Sequence, residues 1–227
     1  VSRGVKECLE RVEGFDPGRI EVVYNGIDLE RFALPPGATR GAAKSRLGLP
    51  AEARVVGTVG RLEAIKNQPL LLNAFARLLS RMPDAFLVLA GDGSERDNLR
   101  DLAAHLGIVE RVRFLGQQGD VEQVLAALDV FALSSFSEGT PMSIIEAMAA
   151  SVPIVSTAVG GIPEIVLDGK EGLLVQGVPP AAGGELDPSA AEYAERFADA
   201  LHRLLAQPGL ASDLARNALE RARREFS

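Results

Sequence analysis

Between residues 54 and 175, six short apolar runs alternate with segments of helical character, and this pattern leaves few folds open. The runs are Arg54-Val55-Val56-Gly57-Thr58-Val59, Ala85-Phe86-Leu87-Val88-Leu89-Ala90, Val112-Arg113-Phe114-Leu115-Gly116, Val130-Phe131-Ala132-Leu133, Pro153-Ile154-Val155-Ser156 and Gly172-Leu173-Leu174-Val175. Helices are expected at 67–81, 94–106, 120–127, from 140 onward, and at 162–167. A strand apolar along its whole length is covered on both faces, and helical crossovers between parallel strands provide that cover. The chain is therefore expected to be α/β, a doubly wound parallel six-stranded sheet of Rossmann-like type. Such sheets bind their ligands beyond the carboxyl ends of the strands.

The regions outside the alternation read differently. Residues 1–35 do not look like an independent unit: an amphipathic helix to about Glu13 precedes Arg19-Ile20-Glu21-Val22-Val23-Tyr24, which reads as a strand. Asn25-Gly26 reads as a turn. Pro35-Pro36-Gly37 begins a linker that a short helix over 44–49 should close, so 36–227 forms the main domain. Residues 177–188, rich in Pro, Gly and Ala, read as a flexible loop, and two helices, about 189–206 and 209–225, should end the chain.

Two carboxylates, Glu138 and Glu146, stand eight positions apart in Ser137-Glu138-Gly139-Thr140-Pro141-Met142-Ser143-Ile144-Ile145-Glu146-Ala147-Met148-Ala149-Ala150. Thr140 is read as an N-cap and Pro141 as the first helical residue. Glu146 is the only charge between Pro141 and Ser151, in a helix otherwise apolar almost all round. A carboxylate there is costly unless donors reach it, and the vicinal diol of a ribose supplies two. Pairing with a nearby cation is the alternative for Glu146, and simple solvation the alternative for Glu138. Gly139 leaves room for a ligand to approach the backbone, and the free N–H groups of a first helical turn favour electron-rich atoms.

The stretch E-G-x-P-x-x-x-x-E-A-M-A, followed by V-P-I-V-S-T-x-V-G-G-I-P-E, resembles the donor-site signature of retaining GT-B glycosyltransferases of group 1, with Glu138 and Glu146 as the E-x7-E pair. Tyr24-Asn25-Gly26-Ile27-Asp28-Leu29-Glu30-Arg31-Phe32 resembles the hinge that leads into the C-terminal domain of these enzymes, so 1–35 would be the end of an N-terminal domain plus hinge. The resemblance spans roughly 19–226 and implies the C-terminal half of a GT-B fold, which binds a nucleoside diphosphate sugar for retaining transfer of a hexosyl group to an acceptor hydroxyl.

Carried over residue by residue, the resemblance implies that Arg61 and Lys66, after the first strand, hold the donor diphosphate as it leaves. Glu138, with the backbone from Gly139 through Thr140 and Pro141 to Met142, would hold sugar hydroxyls, and Glu146 the ribose. Gln117, Gln118 and Asp120 would lie beside the nucleobase, although Asp120 also reads as an ordinary helix cap. Gly91-Asp92-Gly93 lacks the third glycine of a dinucleotide fingerprint and reads as a tight strand-to-helix turn. Gly160-Gly161-Ile162-Pro163-Glu164 would pack behind the diphosphate loop, with Glu164 at a helix start.

No D-x-D occurs, and His105 and His202 have no ligand partners at metal spacing, so no metal or other cofactor is expected. A net charge of −7 argues against a nucleic-acid surface, and one cysteine, Cys8, suits a reducing compartment. No run approaches the length of a membrane span, so a cytoplasmic place is expected, with peripheral contact at the inner membrane face left to a preceding domain. The chain has no initiator Met and is expected to be part of a longer enzyme whose N-terminal domain binds the acceptor, a glycan, lipid or small molecule. By itself it should bind donor but transfer little. A nucleotide-sugar epimerase of the same architecture and a non-catalytic nucleotide-binding module are the rival readings.

Overall fold

A computed structural model describes residues 3–23, 25–33, 37–177, 179 and 188–227. Its centre is a sheet of six parallel strands in the order β3-β2-β1-β4-β5-β6. The strands are β1 (Arg54–Val59), β2 (Ala85–Ala90), β3 (Val112–Gly116), β4 (Val130–Leu133), β5 (Ile154–Thr157) and β6 (Leu173–Val175). Strand order reverses between β1 and β4, which pair directly, so the sheet is doubly wound and the crevice of such a sheet lies there.

Alternate strand residues feed two separate cores. Val56, Leu87, Leu89, Val130, Ala132 and Val155 face one cluster with α3 (Gln68–Leu79), α4 (Arg96–His105) and α8 (Pro188–Ala206). Val55, Phe86, Val88, Phe131, Leu133 and Ile154 face the other, with α5 (Val121–Ala127), α6 (Met142–Ala149), α7 (Ile162–Ile165) and the later part of α9 (Pro208–Glu225). This two-sided burial is why the strands read as unbroken apolar runs instead of alternating ones.

The segments outside the sheet correct several expectations. Helix α1 covers Arg3–Val12 as expected, but no strand follows among the described residues. Pro17–Arg19 forms a 3-10 turn capped by Asp16, and Ile20 to Val23 belong to none of the six strands. Tyr24 lies outside the described residues. The linker-closing helix α2 is Arg40–Arg46, earlier than expected, because the Thr39 hydroxyl accepts from the Ala42 N–H and starts it there.

Asn25 and Gly26 do not form the expected turn. The Ile27 N–H instead donates to the Phe226 carbonyl at 2.8 Å, tying this segment to the end of α9. A 3-10 turn at Glu30–Phe32 then buries Phe32 in the second core. The segment before the sheet is thus packed onto α6, α5 and α9. Of the loop expected at 177–188, only Gly177, Pro179 and Pro188 are among the described residues.

Candidate functional site

The loops after β1 and β4 meet at the carboxyl edge, beside the switch point. The β1 loop is held from behind by the turn after β2: Gly60 N–H donates to Ala90 O at 2.9 Å and Leu62 N–H to Asp92 O at 2.9 Å. A Cβ on Gly91 would stand 1.8 Å from Gly60 O, and one on Gly93 2.3 Å from Leu62 O. These two glycines are therefore required by the close approach of one loop to another, as expected for a tight turn.

Arg61 leaves β1 on this edge. Its carbonyl accepts from Gln68 Nε2 at 2.9 Å, while its exposed guanidinium has no hydrogen bond or ion pair among the described residues. The chain then makes a 3-10 turn, Ala64–Lys66, and Asn67 enters the left-handed region at φ 48° before α3 begins. That turn aims Lys66 across at the β4 loop.

Lys66 Nζ lies 2.7 Å from Glu138 Oε1, with side chains 19% and 9% exposed. Ser135 Oγ donates to the same oxygen at 2.6 Å. The β4 loop is stitched to the β1 loop throughout: Phe136 N–H donates to Ile65 O at 2.9 Å, and Ser134 Oγ to Asn67 O at 2.9 Å. Thr157 Oγ1, at the end of β5, donates to Ser135 O at 2.8 Å. From the sequence, Lys66 and Glu138 are expected on different parts of a ligand; the structure joins them to each other. Ser134, Ser135 and Thr157 are members of this network that the sequence motifs did not single out. Their signal was two polar residues directly after the buried run of β4 and one at the end of β5.

Glu138 is held from the other side by the turn after β5. Gly161 N–H donates to Glu138 O at 3.0 Å. Gly160, at φ +53°, would place a Cβ 1.9 Å from that same oxygen. The Gly160-Gly161 turn thus packs behind the Glu138 loop after β4, not the β1 loop that carries Arg61 and Lys66, and Glu164 lies in the first turn of α7.

Helix α6 starts one residue later than expected. Pro141, at φ −70° and ψ 108°, occupies the N-cap and Met142 is the first helical residue. Thr140 therefore does not cap the helix; its buried Oγ1 has no hydrogen-bond partner among the described residues. Gly139 and Thr140 are half-buried, and Asn25 Nδ2 donates to Met142 Sδ at 3.5 Å.

Glu146 lies one turn further on, half-buried, its carboxylate with no hydrogen bond or ion pair among the described residues. Burial pushes its carboxyl above the usual range; the positive Arg31 opposes this, and the negative Glu122 adds to it. The cation that could have paired with it, Arg31, is bound to Glu122 Oε2 at 3.0 Å instead. The Gln117–Asp120 loop after β3 lies near: Arg31 Nη2 also donates to Gly119 O at 3.4 Å. Gln117 is exposed, and Gln118 Nε2 donates to Leu115 O at 2.8 Å. Asp120 precedes α5 without a side-chain cap to the backbone; its Oδ2 accepts from Gln123 Nε2 at 3.1 Å. The edge thus carries two groups, Arg61 with Lys66–Glu138 at the switch point, and Glu146 with the Gln117–Asp120 loop around α5 and α6.

Among the described residues, such an edge offers a free cation at Arg61, paired cations at Lys66 and Arg31, a buried unpartnered hydroxyl at Thr140 and a half-buried carboxylate without a donor at Glu146. Phosphate oxygens suit the first kind of group and hydroxyl-rich ligands the second.

The family described as glycosyl transferases group 1 matches residues 40–182. A D-inositol 3-phosphate glycosyltransferase of Mycolicibacterium gilvum (strain PYR-GCK) is 43% identical over 174 residues, covering 74% of this chain and 38% of that protein. Among solved structures, Anabaena Alr3699/HepE in complex with UDP superposes with a TM-score of 0.85 at 28% identity, over 100% of this chain and 58% of that one. The same protein in complex with UDP-glucose gives a TM-score of 0.84 at 27% identity, again over 100% and 58%. The chain thus spans 38% of the length of that D-inositol 3-phosphate glycosyltransferase and 58% of the HepE chain.

Proposed function

The chain belongs to the glycosyl transferases group 1 family, and from that membership we propose that its carboxyl edge binds a nucleoside diphosphate sugar for retaining transfer of a hexosyl group to an acceptor hydroxyl. The observation that carries the reading is the half-buried Glu146 carboxylate, which no described side chain satisfies, on the same edge as an Arg61 guanidinium without a partner among the described residues. A ribose diol supplies two donors for the first, and a diphosphate supplies negative charge for the second. The UDP and UDP-glucose complexes of HepE support the nucleotide-sugar class.

In this reading Glu146 accepts from the ribose hydroxyls, and the Gln117–Asp120 loop borders the base. Arg61 and Lys66 face the diphosphate, with no metal in the account. Their charge matters most as the bond from the anomeric carbon to the phosphate oxygen breaks and negative charge collects on that oxygen. Glu138, held on Oε1 by Lys66 and Ser135, is preset to accept from sugar hydroxyls beside the Gly139–Met142 backbone. The acceptor hydroxyl, of a glycan, a lipid or a small molecule, approaches from the open side.

The deciding experiment is calorimetric titration of UDP and UDP-glucose into the chain and its Glu146→Gln variant. Both ligands should bind the wild type, and the variant should lose ~1.5–3 kcal/mol, the worth of hydrogen bonds to a charged group. Its unliganded stability should not fall, because a neutral amide is easier to bury than a carboxylate. Equal affinities in the two proteins would remove Glu146 from the site.

Arg61→Ala separates charge from base and ribose. It should weaken UDP roughly 10-fold or more while leaving uridine binding alone, and binding should persist in a chelator. Because the side chain is exposed and has no partner among the described residues, unfolding stability should stay within about 0.5 kcal/mol. A uridine loss as large as the UDP loss would show that Arg61 does not face phosphate.

A further inference from the structure

Arg31 comes from the segment before the sheet, yet it stands in the nucleotide half of the edge. The buried Phe32 anchors the 3-10 turn that carries it, and the turn packs on both α5 and α6. From there Nη2 reaches Glu122 Oε2 of α5 at 3.0 Å and Gly119 O at 3.4 Å. The Arg31 guanidinium also lies 5.6 Å from the centre of the Phe32 ring. A cation from the hinge-like segment is thus held against α5 and the Gln117–Asp120 loop, with Glu146 of α6 in its field.

We propose that Arg31 is a positioning residue for the nucleotide site: held on Glu122 and the Gly119 carbonyl by a turn packed on α5 and α6, it supplies the positive charge beside Glu146, the acceptor for the ribose diol. The inference rests on the role of Glu146 proposed above. It adds that the donor site is completed by the segment ahead of the sheet, so that the placement of that segment and nucleotide affinity are linked.

Few charges face Glu146, and each comes from a different element. The 3-10 turn brings Arg31, and α5 brings Glu122; Asp120, before α5, acts on Arg31. Helix α9 packs on α6 and contributes Ala218 and Ala222 to the same core, while its Arg221 is engaged with Glu171 and Glu225. Strands β4 and β5 contribute Phe131, Leu133 and Ile154. Beside burial, one cation, Arg31, and one carboxylate, Glu122, therefore act on Glu146 among the described residues, with Asp120 acting on Arg31. Burial already favours the neutral carboxyl, and without Arg31 the bare Glu122 would favour it further. A neutral carboxyl is a poor acceptor for two hydroxyls, so affinity should fall at low pH and recover as rising pH ionises Glu146.

The test titrates UDP into the wild type, Arg31→Gln, Arg31→Lys and Arg31→Gln/Glu122→Gln between about pH 5.5 and about pH 8.5, bracketing the region above the ordinary glutamate value of about 4.3. The ratio of each variant's Kd to the wild type's cancels the titration of the ligand itself. For Arg31→Gln the ratio should stand clearly above 1 at the acid end, where the acceptor's carboxyl is more often neutral without the Arg31 charge, and should fall toward 1 at the alkaline end. Arg31→Lys keeps the charge and should give a flat ratio near 1. The double variant also removes the Glu122 charge and should recover part of the acid-end loss, not all of it, because Arg31 itself acts on Glu146 more strongly than Glu122 does.

A ratio for Arg31→Gln that does not change with pH, or a double variant no better than the single, would overturn the proposal and leave Arg31 a structural tie. If Glu146→Gln weakens UDP but Arg31→Gln does not, this inference alone fails. If the wild type does not bind UDP, or Glu146→Gln leaves its affinity unchanged, the functional reading beneath it fails as well.

Discussion

Gly160→Ala is expected to cost about 2–4 kcal/mol of stability and to remove most UDP-glucose binding. Gly160 sits at φ +53°, a region that costs an alanine about 1–2 kcal/mol. The added Cβ would also fall 1.9 Å from Glu138 O. That oxygen cannot swing aside freely, because it accepts from Gly161 N–H at 3.0 Å. Overpacking of this kind costs about 1–3 kcal/mol more. Relief requires the Glu138 loop to move, and this loop carries the carboxylate that meets Lys66 and Ser135. Gly209→Ala is the control: a Cβ there would have nothing within 4 Å and the position is helical, so stability should hold or rise by up to about 1 kcal/mol. Denaturant unfolding with parallel calorimetry reads both quantities. A Gly160→Ala protein as stable as wild type, with UDP-glucose affinity intact, would show that the loop tolerates displacement and does not shape the site.

Lys66→Ala is expected to damage stability and binding together, unlike Arg61→Ala. Lys66 and Glu138 form a 2.7 Å pair with little solvent exposure. Removing the cation leaves a carboxylate that is 9% exposed, with the Ser135 hydroxyl as its remaining side-chain donor among the described residues. Breaking such a pair costs about 3 kcal/mol, the low end for buried pairs, because Lys66 retains some exposure to water. In the Lys66→Ala/Glu138→Gln double variant the uncompensated charge is gone, so much of that stability should return. Binding should not return, since the group that faces the diphosphate is still absent. UDP should be weakened roughly 10- to 150-fold in both variants, the equivalent of ~1.5–3 kcal/mol. Recovery of UDP affinity together with stability in the double variant would mean that Lys66 serves only to hold Glu138.

The contrast between Arg61 and Lys66 shows how far the residues alone can be read. Both are cations after a strand that runs into a glycine, and both lie on the expected edge. Nothing in the local pattern distinguishes an arginine open to a ligand from a lysine already engaged with a carboxylate 72 positions away. Arg31 stands in the hinge-like motif without a role of its own there, because its meaning depends on α5 and α6, which lie far along the chain. Ser135 looks like an ordinary loop residue until the β4 loop places its hydroxyl on Glu138.

Helix α6 shows how a local signal misleads. Pro141 sets φ at −70°, which suits a helix, but ψ remains free, and at 108° it places the residue outside the helix. The strand expected over 19–24 does not form over its described residues, 19–23, for a different reason. Its β-branched residues fit a pleated sheet, but a strand exists only where an edge is available to pair with it. The observed sheet ends at β3 and β6, and Ile20 to Val23 form no strand beside either.

What the sequence by itself determined was the layer architecture: six buried strands, the helices that cover both faces, and the strand-end loops on which ligand-binding residues should lie. Hydrophobic periodicity is local, and it survives in the chain without knowledge of neighbours. The tertiary structure decided which loops meet. Placing β1 against β4 brought Lys66 to Glu138, and packing the Glu30–Phe32 turn on α5 and α6 brought Arg31 to Glu122. Strand order and loop contact follow from burying every apolar face at once, a condition on the whole chain that no window of residues contains.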